Sequence, residues 1–192
     1  MNPRSRRQFI LGSAGLAAVA GLSVSFAQET APPPPGVKKA PAKPPALTPE
    51  KIQAVVGQSH RNLDAVRALV EEIPLLVNAC WDWGGGDFET PLEAAAHTGR
   101  REIAEYLLAH HARPSLYASA MLGHLDTIKA ALALNAKAYE VPGPHGFTLL
   151  HCAKQGGASA KAVYDLLVAQ GAPETAMRPL PYVWPAGTKP TP

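Results

Sequence analysis

The residues best suited to chemistry lie in two glycine-rich segments. The first, Cys80-Trp81-Asp82-Trp83-Gly84-Gly85-Gly86-Asp87-Phe88-Glu89, combines two of the chain's three tryptophans with carboxylates and a thiol. The second, Pro142-Gly143-Pro144-His145-Gly146-Phe147, sets a histidine among turn residues. Tryptophan is costly to expose and dominates binding hot spots, so Trp81, Trp83, Asp87 and Phe88 form a candidate aromatic contact patch. The alternative is that both indoles fold back over neighbouring helices. A calcium loop on Asp82, Asp87 and Glu89 lacks the ordered Asp/Asn alternation and closing Glu of such loops. His145 and Phe147 are either partner contacts or, for His145, a turn histidine making one backbone hydrogen bond. The chain contains no His-Glu-x-x-His, Cys-x-x-Cys, Gly-x-Ser-x-Gly or phosphate loop, so the sequence assigns no catalytic residue, no metal ligand and no cofactor.

These segments sit inside a chain of 192 residues with a net charge of +3. Arg4, Arg6 and Arg7 account for that excess, and an apolar stretch from Phe9 to Phe26 ending in Ser25-Phe26-Ala27 follows them. This is a signal-peptide plan. Ser5-Arg6-Arg7-Gln8-Phe9-Ile10 resembles the twin-arginine export motif, with Arg6, Arg7 and Phe9 as its key residues and cleavage after Ala27. The resemblance implies a periplasmic protein that meets the membrane only transiently; an uncleaved membrane anchor is the alternative. The organisation expected is a signal over 1–27, a proline-rich spacer over 28–47, a folded domain over 48–175 and a proline-rich tail over 176–192. Eight of the 20 prolines fall between Pro32 and Pro49, a composition that favours extended polyproline geometry over a packed core.

The intervening residues repeat. Thr90-Pro91-Leu92-Glu93-Ala94-Ala95-Ala96-His97-Thr98-Gly99, followed by Ile103 and Tyr106-Leu107-Leu108, is echoed by Thr148-Leu149-Leu150-His151-Cys152-Ala153 with Gly156-Gly157 and Leu166-Leu167. Leu116 to Asp126 keeps the frame without Thr-Pro, and Thr48-Pro49-Glu50 with Leu63, Val66, Leu69 and Val70 gives a degenerate opening unit. Thr caps a helix, Pro suits its first position, Leu and Ala allow close approach, and Gly permits the reversal into a second helix. Each helix pair is too small to bury its own apolar stripe, so neighbours must stack. The frame resembles the ankyrin repeat. That resemblance implies an all-α fold, a solenoid of about four helix-turn-helix units with short hairpin fingers, and a monomeric module that binds a protein partner. It also makes His151 a structural capping histidine.

Measured between turn positions, Arg61 to Gly99 is 38 residues, Gly99 to Gly123 is 24 and Gly123 to Gly157 is 34, against a usual period of about 33. The first finger, Asn78 to Glu89, is therefore enlarged. The middle finger is missing, because His111 to Ser115 must link straight to the next helix, and the two remaining fingers are expected to flank a gap. Candidate contacts are Trp81, Trp83, Asp87 and Phe88 on one finger, His145 and Phe147 on the other, and His97, Met121, Leu122 and Gln155 on the inner helices. Met121 and Leu122 are expected to form a greasy floor. A rival reading is a metal- or cofactor-dependent enzyme using His145, Asp87 and His97, and a third is an inhibitory or structural cap on an envelope enzyme. Cys80 and Cys152 are separated by two or more repeats, roughly 20 Å at about 10 Å per helix layer, beyond disulfide reach. Residues 50–174 hold ten Lys and Arg against fourteen Asp and Glu, so no nucleic-acid partner is expected.

Overall fold

The computed structural model describes residues 43–173. The expected signal with Arg6, Arg7, Phe9 and Ala27, most of the spacer and the tail lie outside the described residues. Among the described residues there are eight α-helices: α1 (Pro49–Ser59), α2 (Leu63–Glu72), α3 (Pro91–His97), α4 (Arg101–Ala109), α5 (Leu116–Leu122), α6 (Leu125–Leu134), α7 (Leu149–Gln155) and α8 (Lys161–Ala169). None of these is long and apolar enough to cross a membrane. The strands are β1 (Trp81–Asp82) and β2 (Phe88–Glu89), paired antiparallel in the first finger with Trp81 opposite Glu89. A 3₁₀ turn at Pro144–Gly146 occupies the second finger.

The helices come as consecutive antiparallel pairs, and the odd-numbered ones form an inner row in which α1 packs on α3, α3 on α5 and α5 on α7. Their compositions explain the assignment. Nearly every side chain of α3 and α5 is buried, including Leu92, Ala94, Ala95, Ala96, Ala118, Ala120 and Met121, and the alanines let neighbouring backbones come close. The even-numbered helices bury a single stripe: Val66 and Val70 in α2, Ile103, Ala104 and Leu107 in α4, and Val163 and Leu167 in α8. That is the helical spacing of a face pressed on one side only.

Caps define where the helices begin. Thr90 Oγ1 accepts from Glu93 N while the Glu93 side chain accepts from Thr90 N, a reciprocal capping box. Ser115 and Thr148 cap α5 and α7 one way only, their hydroxyls accepting from the amides of Ala118 and His151. Gly123 ends α5 at φ 82, a left-handed conformation in which a side chain would also strike the Ser159 carbonyl.

The middle finger is missing as expected: α4 ends at Ala109, α5 starts at Leu116, and the short link between them is strapped to the base of the first finger. Asn78 Nδ2 donates to the His111 carbonyl at 2.9 Å and Asn78 Oδ1 accepts from Arg113 N at 2.7 Å. The inner row is also tighter than a simple line, since α3 touches α7 as well as α5. His151 Nε2 donates to the His97 carbonyl at 2.8 Å across that contact, the structural capping role the repeat frame implies. Burial pushes the His151 ring below the ordinary imidazole pKa, in keeping with a neutral donor.

Two glycines should respond in opposite directions to alanine. Gly57, within α1, has nothing within 4 Å of an added Cβ, so Gly57→Ala should raise stability by about 0.5–1 kcal/mol. At Gly156 the added Cβ meets the Met121 carbonyl and lies 2.6 Å from Ala160 Cβ, so Gly156→Ala should lower stability by about 1–3 kcal/mol. Urea denaturation of the two variants reads both signs.

Candidate functional site

The two fingers do not flank a gap. The expectation assumed that a missing finger leaves a space, but the enlarged first finger and the second finger close across it. Asp87 Oδ1 accepts from His145 N at 2.8 Å, and Asp87 Oδ2 lies 2.7 Å from His145 Nδ1. His145 adopts φ 56, which aims its backbone amide and its ring at one carboxylate. It therefore makes two contacts with one carboxylate rather than a single turn hydrogen bond to backbone. The second finger is steadied from below by Tyr117 of α5, whose hydroxyl donates to the Val141 carbonyl at 3.1 Å.

Beneath this bridge lies Glu89, fully buried on β2. Its Oε1 is 2.7 Å from His97 Nε2, and its Oε2 accepts from Trp83 Nε1 at 2.8 Å. Two further rings approach the same carboxylate: His60 Nε2 and His145 Nε2 each lie 3.5 Å from Oε2. His60 follows the last residue of α1, and its Nδ1 lies 3.0 Å from the Val56 carbonyl. His97 is the last residue of α3, and its Nε2 is 3.2 Å from His60 Nε2. One ligand-type atom from each of His60, Glu89, His97 and His145 falls within 4.8 Å of all the others, the one such cluster among the described residues. Every ion-pair partner of Glu89 found there is a histidine.

Aromatic rings complete the site. Phe147 stacks on His97 at 4.8 Å between centroids and on His151 at 4.1 Å. Trp83 stands edge-on to Trp81 at 6.4 Å and lies 6.0 Å from the His145 ring.

The structure thus brings together Trp81, Trp83, Asp87, His97, His145 and Phe147, all chosen from the sequence. The indoles divide the two expectations between them: Trp81 is half-buried against the core, whereas Trp83 remains 40% exposed. Phe88 points outward and is 59% exposed, and Gln155 is exposed at the end of α7.

Met121 and Leu122 require correction. Met121 is fully buried and Leu122 nearly so, because both inner neighbours of α5 press on that short helix; they are core, not a greasy floor. The three carboxylates considered for a calcium loop go to different partners: Asp82 caps the glycine turn by accepting from Gly84 N and Gly86 N, Asp87 holds His145, and Glu89 is turned into the core.

The sequence assigns no metal ligand, and the structure brings His60 and Glu89 to His97 and His145 in a set of donor atoms that could hold a metal ion. Neither His60 nor Glu89 stands in a recognisable ligand motif, and the four positions span 60 to 145. The available signal was positional: His60 and His97 both fall at the close of the first helix of a repeat, one residue before Arg61 and two before Gly99.

With this geometry in place, comparison with known proteins adds one finding. The ankyrin repeat family model matches residues 87–119, from the tip of the first finger through α3 and α4 into α5, and supports an ankyrin-repeat protein. No curated protein matches the chain. Ankyrin repeats generally mediate protein–protein interaction, and that is the class of activity the match suggests.

Both cysteines are free, Cys80 exposed and Cys152 buried, as their separation in the repeat frame required. Burial pushes the Cys152 thiol up to about 12, and partial burial with the nearby carboxylates of Glu93 and Asp82 raises Cys80. A disulfide-exchange reagent should therefore label one thiol in the native chain, slowly at neutral pH and faster as pH rises, and two after denaturation. Rapid labelling of both under native conditions would contradict this placement.

Proposed function

We propose that the chain is an exported, periplasmic ankyrin-repeat solenoid that works by binding another protein through its two fingers, as a binding module rather than an enzyme. The carrying observation is that exposed aromatic side chains sit together on the fingers that Asp87 and His145 join: Phe88 is 59% and Trp83 40% exposed, with Val141 beside the second finger at 50%, whereas the other exposed large apolar residues, Leu75, Leu134 and Val168, are aliphatic and scattered. Exposed aromatics held on a braced scaffold are what a binding hot spot requires, since little ordering cost remains to be met on association. Gln155, at the open end of α7, supplies a polar contact. Trp81, His97 and Phe147 support the surface from within, and Met121 and Leu122 keep α5 in place beneath it. Support for the interaction class comes from the ankyrin match, and support for export from the paired arginines and apolar stretch at the N-terminus.

One crosslinking experiment in fractionated cells tests both parts. The unaltered chain should be recovered from the periplasm crosslinked to a partner. Replacing Arg6 and Arg7 with lysine should keep it out of that compartment. Phe88→Ala should be exported and remain folded yet lose at least about tenfold of the crosslinked product, the loss expected of a hot-spot aromatic. Crosslinking unaffected by Phe88→Ala would remove the finger surface from the account, and export unaffected by the arginine change would remove the route.

A further inference from the structure

The cluster beneath the fingers has a donor arrangement that a binding surface does not need. Four groups from four separate segments converge: His60 at the end of α1, Glu89 on β2, His97 at the end of α3 and His145 on the second finger. Two of the imidazoles are held from behind. The Val56 carbonyl and the Asp87 carboxylate can only accept hydrogen bonds, so Nδ1 of His60, at 3.0 Å, and Nδ1 of His145, at 2.7 Å, carry the hydrogens. In the neutral rings this leaves the Nε2 lone pairs facing the cluster. A carbonyl or carboxylate behind the ring, with the opposite nitrogen presented inward, is the arrangement that orients histidines toward metal ions.

The electrostatics favour a cation at the centre. His60 Nε2 faces His97 Nε2 at 3.2 Å, and His60 Nε2 and His145 Nε2 each face Glu89 Oε2 at 3.5 Å. Glu89 is met by Trp83 Nε1 at 2.8 Å and His97 Nε2 at 2.7 Å, but the Nε2 lone pairs of His60 and His145 also face its Oε2 with no hydrogen between, a repulsion that a bound cation relieves. No Lys or Arg among the described residues makes an ion pair with Glu89.

The spacing also fits. With metal–nitrogen bonds of about 2.0–2.1 Å, the ligand atoms of a tetrahedral site sit about 3.3 Å apart. Separations of 3.2, 3.5 and 3.5 Å bracket that edge. The 2.7 Å His97 contact is to the other oxygen of Glu89, Oε1, and the widest ligand-atom pair, at up to 4.8 Å, must close, which takes side-chain shifts of roughly an ångström.

We propose that His60, Glu89, His97 and His145 bind one divalent first-row transition-metal ion of the zinc class, with Asp87 and the Val56 carbonyl as positioning groups and Trp83 holding Glu89 Oε2. Three imidazole nitrogens and one carboxylate oxygen suit such an ion, whereas calcium and magnesium require more oxygen ligands than the cluster offers. Entry is open on one side: Glu89 and His97 are buried, but the side chains of His60 and His145 remain 24% and 25% exposed. The ion ties the end of α1, the end of α3 and both fingers into one unit. The site stands independently of the protein-binding reading, because its ligands and its readout require no partner.

The test uses the full chain without a histidine tag, stripped by chelation and titrated with Zn²⁺ alone. Elemental analysis should find one equivalent retained after dialysis, with a raised melting temperature, and Co²⁺ in place of zinc should give the intense visible absorption of a four-coordinate site. His60→Ala and His145→Ala, at the two less buried ligands, should each abolish stoichiometric retention while preserving the far-ultraviolet circular dichroism. Asp87→Asn should keep the stoichiometry and weaken binding about 10–100-fold, as loss of an orienting group does. His124→Ala, on the exposed turn before α6, should change nothing. Retention well below one equivalent, or unchanged retention in both His60→Ala and His145→Ala, overturns the proposal.

Discussion

The buried carboxylate of Glu89 is the constraint on which the rest of this structure turns. A carboxylate excluded from solvent must be met by donors or cations, and the chain meets it with Trp83 from its own finger and His97 from α3, while His60 and His145 each bring an Nε2 to within 3.5 Å of it. A single side chain thereby recruits elements that are 85 residues apart in the sequence, from His60 to His145. The aromatic rings around it, Phe147 above all, exclude water from the polar contacts and so strengthen them.

That convergence depends on a deletion. The 24-residue step between Gly99 and Gly123 removes the finger that would otherwise stand between the first and the last. The shortened link is then strapped down by Asn78, and the alanine-rich helices α3, α5 and α7 draw together until α3 reaches α7. Only then can Asp87 receive both the amide and the ring of His145. The left-handed backbone at His145, uncommon for a residue with a side chain, is maintained by this double contact. Repeat length thus sets the helix packing, and the helix packing sets the geometry of the site.

Much of this was legible in the residues and some was not, for physical reasons. Thr90-Pro91, Ser115, Thr148 and the glycines at the turns announce helix starts and reversals because capping and backbone handedness are local properties. The enlarged and missing fingers followed from counting. Met121 and Leu122 were misread because their position in a regular repeat faces a groove, whereas here a short α5 lies between two closely packed neighbours. His60 escaped notice because its repeat is degenerate and a ligand set spread over four segments has no spacing to detect. Asp87 and His145 were each singled out, but their pairing depends on how far two fingers lean, which no local pattern encodes.

The exposed face of the fingers and the polar cluster beneath them then have complementary roles: the cluster braces, and Phe88 and Trp83 present. The central claim is that three Nε2 atoms and Glu89 converge on one cation. X-ray absorption spectroscopy at the zinc edge of the zinc-loaded full chain tests it most directly. The account predicts four nitrogen or oxygen neighbours at about 2.0 Å with the outer-shell scattering of three imidazoles. Six oxygen neighbours with no imidazole scattering would contradict it.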